Sequence, residues 1–180
     1  VFVVDPSDLK YADLESAYFY CWREWAAAKV LLLKGATAAG MELAHRVFNR
    51  ARKYQFTELA MHASRTLRMH YATRGADKRK YTLFNEHFEY YLKLFNYENK
   101  AENNYTCLIT HFSASRSSKP DISDEAFAYY NELEPALSQF KSHRLHRFTL
   151  FIQLMGYMAR HDYANAVHVC DKALQELSTY

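Results

Sequence analysis

The stretch Tyr157-Met158-Ala159-Arg160-His161-Asp162-Tyr163-Ala164-Asn165-Ala166 decides the fold. An aromatic-rich helical segment near residues 143–160 runs into the polar break Arg160-His161-Asp162, and Tyr163 opens a second helix reaching about residue 178. Two helices joined by about three residues must fold back antiparallel. On the second helix Ala166 and Ala173 stand seven apart with Cys170 between them, a spacing that puts all three on one face where another helix can approach closely. Such a hairpin buries its apolar faces fully only when stacked on neighbours, so further hairpins are expected upstream.

They are there in outline. Asp5-Pro6 reads as a helix start, with Leu9, Ala12, Tyr18, Cys21, Trp22, Trp25, Ala26 and Leu33 at helical period and Gly35 as the stop. Thr37 is placed to cap a second helix with inner face Met41, Ala44, Val47, Phe48 and Ala51. After a break at Lys53-Tyr54-Gln55, a third helix carries Leu59, Ala60, Ala63, Leu67 and Tyr71, and ends at Thr73-Arg74-Gly75-Ala76. Asp77 can cap the next segment, whose stripe Tyr81, Phe84, Phe88, Tyr91, Phe95 alternates steps of three and four. Tyr105, Leu108, Ile109 and Phe112 continue a similar stripe, and periodicity leaves open whether 77–112 is one helix or two. Residues 113–122 are the one low-complexity stretch and the expected flexible loop; Ser123 should then cap a fifth helix, which Pro135 should kink or restart. No segment alternates with period two for long enough to make a strand.

Composition agrees. Four Gly and three Pro in 180 residues suit long helices, and 49% apolar residues suit an ordered chain. The reading is all-α, one domain over residues 1–180, and a start at Val rather than Met suggests a piece of a longer chain. No apolar run reaches the roughly 18 residues of a membrane span, and no signal peptide is evident, so the expectation is a cytoplasmic protein without membrane contact. Cys21, Cys107 and Cys170 all fall in apolar helical patterns without a CxxC pair, and read as buried free thiols.

Net charge is +3, unevenly spread. Residues 43–81 hold ten Lys and Arg against Glu58 and Asp77, a local +8; residues 82–140 hold four against nine acids, a local −5. Arg46, Arg50 and Lys53 share one helical face, Arg65 and Arg68 another, and Arg74, Lys78, Arg79 and Lys80 crowd the following turn, with Tyr54, Tyr71 and Tyr81 interleaved. A solvated face is the ordinary reading of such a ridge. It could also dock an acidic protein or peptide, the acidic 82–140 region of a second copy of the chain, or nucleic acid through phosphate contacts and stacking. Arg46, Arg50, Lys53, Tyr54, Arg65, Arg68, Tyr71, Arg74, Lys78 and Arg79 are therefore the candidate partner-binding residues.

At the terminal hairpin the chain resembles the tetratricopeptide repeat (TPR) family. Tyr157 matches that family's aromatic late in the first helix, Tyr163 its turn aromatic, and Ala166 and Ala173 its two second-helix alanines. Cys170 stands where the family has an aromatic, and Leu154 where it has glycine. Weaker echoes follow Gly35 (Thr37, Gly40, Ala44, Val47) and Gly75 (Asp77, Lys80, Phe84, His87). From Gly40 to Ala166 is 126 residues, not a multiple of 34, so the units would be irregular. The resemblance implies a TPR-like α-solenoid, a right-handed superhelix of three or four hairpins, acting as a scaffold that binds a peptide or protein along a concave surface.

No catalytic motif stands out, and neither an enzyme nor a cofactor is expected. Glu42 and His45 form a single ExxH pair where a di-iron site needs two, and Glu58 and His62 are four apart, so surface Glu–His pairing is expected. His143 and His146, beside Arg144 and Arg147, read as a solvated basic patch rather than a metal site. Cys107 and His111 are four apart on a helix and could pair as thiolate and imidazole, but with Leu108, Ile109 and Phe112 around them and no orienting third group, core packing is the better reading. The glycines never cluster into a phosphate-cradling loop.

Overall fold

A computed structural model describes residues 13–114 and 119–177. They form seven α-helices: α1 Asp13–Leu33, α2 Thr37–Lys53, α3 Thr57–Thr73, α4 Lys78–Ala114, α5 Lys119–Gln139, α6 His143–Ala159 and α7 Tyr163–Leu177, with no strand among the described residues. The chain is all-α. It divides into two compact units whose boundary falls inside α4, between Phe95 and Asn96.

Three of the turns close in the same way. After α1, Ala36 N–H bonds Leu31 carbonyl and Gly35 N–H bonds Leu32 carbonyl, with Gly35 at φ +80°. After α2 the same pair of bonds runs Phe56 to Ala51 and Gln55 to Arg52, and after α6 it runs Asp162 to Tyr157 and His161 to Met158. This is the Schellman closure, with one left-handed residue satisfying the last carbonyls and reversing the chain within three residues. Glycine takes that conformation freely in the first turn; Gln55 (φ 56°) and His161 (φ 59°) take it at the steric cost of a Cβ.

In the first unit, a core of Cys21, Trp25 and Ala28 from α1 meets Met41, Ala44, Val47 and Phe48 from α2, Leu59, Ala63 and Leu67 from α3, and Phe84 from α4. Each fully buried Leu contributes roughly 1.5–3 kcal/mol. Consecutive helices are antiparallel, and helices two apart run parallel. Tyr18 meets Phe56 and Trp25 meets His62 as α1 and α3 rise together, and Phe48 touches both Phe84 and Tyr91 between α2 and α4. Gly40 lets α1 and α2 come close, since a Cβ there would sit 2.7 Å from Leu32 Cγ.

The second unit repeats the pattern. α4 runs against α5, joined by Lys100–Glu132 and His111–Glu125, and parallel to α6, where Tyr97 meets Phe140, Glu98 meets Ser142 and Tyr105 meets Phe148. α5 and α6 pack closely at Gly156, whose carbonyl accepts from Ser123 Oγ at 3.0 Å and where a Cβ would lie 3.1 Å from the Phe127 ring. α7 packs on α6 through Ala166 and Val169.

Several local expectations change. Thr37 is the first helical residue rather than a cap, because the chain enters α2 through Ala36. Asp77 does cap α4, accepting from Lys80 N–H at 3.0 Å. α4 is a single 37-residue helix. The expected loop at 113–122 shrinks: 113–114 close α4, 119–122 belong to α5, and 115–118 lie outside the described residues. Ser123 is buried inside α5, and α5 runs through Pro135; the amide bond lost there would have gone to Asn131, which is exposed to water. On α1, Ala26 and Leu33 are exposed and Ala28 is buried instead, since the stripe that faces the core is 21, 25, 28. Cys107 and Cys170 are exposed, leaving Cys21 as the one buried thiol. On α7 the inner face steps 166, 169, 173, with Ala166 and Val169 buried and Ala173 half-buried, which turns Cys170 outward. The Asp5-Pro6 start and Leu9 and Ala12 lie outside the described residues.

Candidate functional site

The basic stretch of the first unit divides into residues held by the fold and residues left to solvent. Arg50 Nη1 bonds Glu24 on α1 at 2.7 Å. Arg68 lies over the Phe88 ring at 4.1 Å and donates to Asn85 at 3.0 Å, with Glu89 at 3.8 Å. Tyr71 stacks on Phe84 at 13° and shares a 2.8 Å hydrogen bond with His45 Nε2, so His45 turns to Tyr71 instead of forming the expected surface pair with Glu42. Burial, then Lys80 and His70, hold the His45 imidazole below the ordinary histidine range. Tyr54 is half-buried, stacked on Phe56, with the Lys53 ammonium 5.1 Å from its ring. Arg46, Lys53, Arg65, Arg74, Lys78 and Arg79 are exposed, and Arg74 donates to Thr37 Oγ1 at 3.1 Å.

Two open depressions adjoin at the start of α4 and share Lys78. The larger, about 950 Å³, is lined by Asp77, Lys78, Arg79, Lys80, Thr82, Leu83 and Glu86. The smaller, about 310 Å³, is lined by Tyr71, Ala72, Ala76, Lys78 and Tyr81. The structure thus gathers Tyr71, Lys78 and Arg79 of the candidate set around one corner.

A second surface, in the other unit, was not singled out from sequence. Tyr105 on α4 touches both Phe148 and Phe151 on α6, with centroids 5.6 and 5.5 Å apart. On the same side of α4, Ile109 and Phe112 follow at helical spacing and are 42% and 50% exposed; on α6, Phe151 and Met158 are 37% and 48% exposed. The two parallel helices therefore present a joined aromatic and aliphatic face. Its end near the start of α6 is basic: Arg144 pairs with Glu102, the Arg147 guanidinium lies 5.1 Å from the Phe148 ring, and His143 is held low by burial and then by Arg147 and His146. The sequence carried the signal in the 105, 109, 112 spacing, but core and surface stripes have the same period and cannot be separated without the neighbouring helix.

The α4–α5 pairing builds a polar cluster. His111 Nδ1 lies 2.9 Å from Glu125 Oε2, and Tyr129 donates to Glu125 Oε1 at 2.7 Å. Those two bonds, His111 first, pull the Glu125 carboxyl below its usual range, and the bond to Glu125 is the main cause pushing the Tyr129 phenol up to about 12. Cys107 is exposed and not in the core, and Glu125 is a partner of His111 that the local sequence around His111 did not supply.

Among the described residues, no group of three or more His, Cys, Asp or Glu is placed to hold a metal ion, and no helix is long and apolar enough to cross a membrane. No protein-family model matches the chain, and no curated protein or solved structure matches it.

Proposed function

We propose that the chain is a non-catalytic, TPR-like scaffold that binds a peptide or protein segment on the α4–α6 face of its second unit. The observation that carries this reading is the apolar surface built on two parallel helices by exposed Ile109, Phe112, Phe151 and Met158 around half-buried Tyr105 and Phe148. A contiguous apolar patch with a polar rim is characteristic of a recognition surface, and a face shared by two parallel helices suits the apolar side of an amphipathic helix. The basic start of α6 favours a partner with acidic residues at one end. Within each unit the antiparallel succession of helices, with every second helix parallel, supports the TPR-like arrangement, as do the three matching turns.

The test is selection of short peptides from a displayed library on the intact protein, followed by affinity measurements on Phe112→Glu and Phe151→Glu. Enriched peptides should be amphipathic with acidic residues at one end. Each substitution should weaken them by about tenfold or more, the scale of an interface anchor losing over 1 kcal/mol, with helicity by circular dichroism unchanged. Peptides that bind both variants as well as wild type would refute the assignment.

A second reading rests on the adjoining depressions at Lys78. Three consecutive basic residues beside Tyr71 and Tyr81 suit an acidic peptide or a single-stranded nucleic acid. Binding of an oligonucleotide through this corner would weaken steeply with salt and be lost in Lys78→Glu/Arg79→Glu. Absence of oligonucleotide binding at low salt removes the nucleic-acid branch.

A further inference from the structure

We propose that α7 carries a self-association surface, on which the same helix of a second copy of the chain packs antiparallel. α7 has two apolar flanks. The first, Ala166, Val169 and Ala173, lies against α6. The second, about a quarter of a turn round the helix, is Tyr163, Val167, Cys170 and Leu174, in steps of four, three and four. No described residue covers it: Tyr163, Val167 and Leu174 are 56, 59 and 73% exposed, and Cys170 is exposed as well. A helix with one neighbour needs one apolar stripe, and two stripes imply a second neighbour. α2 shows the ordinary alternative, since outside its buried stripe it exposes Glu42, Arg46, Asn49 and Lys53. The first residue of the α7 stripe is also held in place, with the Tyr163 hydroxyl 2.9 Å from His161 Nδ1, so its ring has less freedom to lose on docking.

The stripe is its own complement, which points to a second copy as the neighbour. Its steps read the same from either end. A two-fold axis between residues 168 and 169 therefore sets Tyr163 opposite Leu174 of the second copy, and Val167 opposite Cys170 of the second copy. A bulky pair closes each end and a smaller pair flanks the axis. Charge agrees with this register. Along the solvent edge of the stripe, the same axis places Asp171 between Ala164 and His168 of the second copy, so the acid on that edge meets a histidine and not another acid. Antiparallel packing also sets the two helix dipoles head to tail. Four side chains cover far less than the roughly 800 Å² per partner of a stable interface, so the dimer is weak and dissociates on dilution.

The register makes a distance prediction. The two copies of Cys170 fall on either side of the axis, about 4.5 Å apart along the helices, and face each other across one helix-to-helix spacing of about 8–10 Å. That is within reach of a short bismaleimide. Cys107, on α4, takes no part in this contact, so it serves as an exposed thiol for comparison.

The experiment is sedimentation velocity on the intact chain from micromolar to submillimolar concentration, where monomer should give way to dimer. Val167→Glu and Leu174→Glu should each raise the dissociation constant about tenfold or more, with helicity by circular dichroism unchanged because both side chains are exposed in the single chain. Bismaleimidoethane treatment, digestion and mass spectrometry should then link Cys170 to Cys170 in wild type in preference to any pair containing Cys107, and Val167→Glu should remove that link. Asp171→Lys should weaken the dimer, and His168→Asp/Asp171→Lys should restore it. A chain that stays monomeric at the highest concentration leaves the flank to a different partner and overturns the proposal. So does a dimer that Val167→Glu and Leu174→Glu leave intact, or one whose cross-links run through Cys107.

Discussion

Ser142 and Asp162 do the same local task in different surroundings. Ser142 Oγ accepts from Leu145 N–H at the start of α6, and Asp162 Oδ1 accepts from Asn165 N–H at the start of α7, both at 3.2 Å. Ser142 is buried, and its hydroxyl also donates to Glu98 Oε1 at 2.5 Å, a carboxylate 1% exposed beside the positive end of the α6 dipole. Asp162→Ala should therefore cost about 1 kcal/mol, the usual worth of a cap. Ser142→Ala should cost about 2–3 kcal/mol, because it also withdraws a donor from the buried Glu98 carboxyl. Urea unfolding of the two variants checks this, and equal losses would leave Glu98 without a part in the cap. The polar break at Arg160-His161-Asp162 made the start of α7 visible in the sequence. Ser142 was not, because its meaning depends on Glu98, forty-four residues away.

Among the helices, α7 shows how finely a face can be read. Ala166 is 4% exposed against α6, whereas Val167 beside it is 59% exposed. Ala166→Leu should overpack the α6–α7 contact and cost about 1–3 kcal/mol, while Val167→Ala should stay within about 0.5 kcal/mol. Matching melting temperatures for the two variants would mean that α7 does not pack on that face. The buried alanine was legible from spacing, and the outward turn of Cys170 was not, since a stripe stepping 166, 170, 173 and one stepping 166, 169, 173 differ by a rotation that only the neighbouring helix sets. α4 makes the same point. Periodicity left open whether 77–112 is one helix or two; it is one, and at the polar run Asn96-Tyr97-Glu98-Asn99 Tyr97 and Glu98 find partners on Phe140 and Ser142. All three turns were legible as breaks, but only Gly35 announced its left-handed residue; Gln55 and His161 did not, because tertiary packing outweighs the small cost of a left-handed residue with a Cβ.

On the scale of the whole molecule, the titration of half-buried imidazoles shapes how stability responds to acid. His45 and His87 in the first unit and His143 in the second are all held below the ordinary histidine value, in each case chiefly by burial. A base whose folded pKa lies below its unfolded one takes up its proton more readily in the unfolded chain, so these groups cost nothing well above pH 6.5 and destabilise the fold as pH falls below it. Glu125 is shifted down as well, so its stabilising share is present at neutral pH and is lost at lower pH, as its carboxyl protonates. The urea midpoint should therefore drop between pH 7 and pH 5, and His45→Gln/His87→Gln should flatten most of that slope. A wild-type midpoint that is level across this range would contradict the burial argument. What the sequence by itself determined was the all-helical character, most helix ends and the hairpin turns, because period, caps and turn residues act within a few residues of one another. Only the tertiary structure decided which polar and aromatic groups meet: Glu125 with His111, Glu98 with Ser142, Tyr105 with Phe148 and Phe151. Those meetings depend on the register between helices fourteen to forty-six residues apart in the chain. Register is set by helix length, close approach at Gly40 and Gly156, and the summed packing of each core, none of which any local stretch of residues contains.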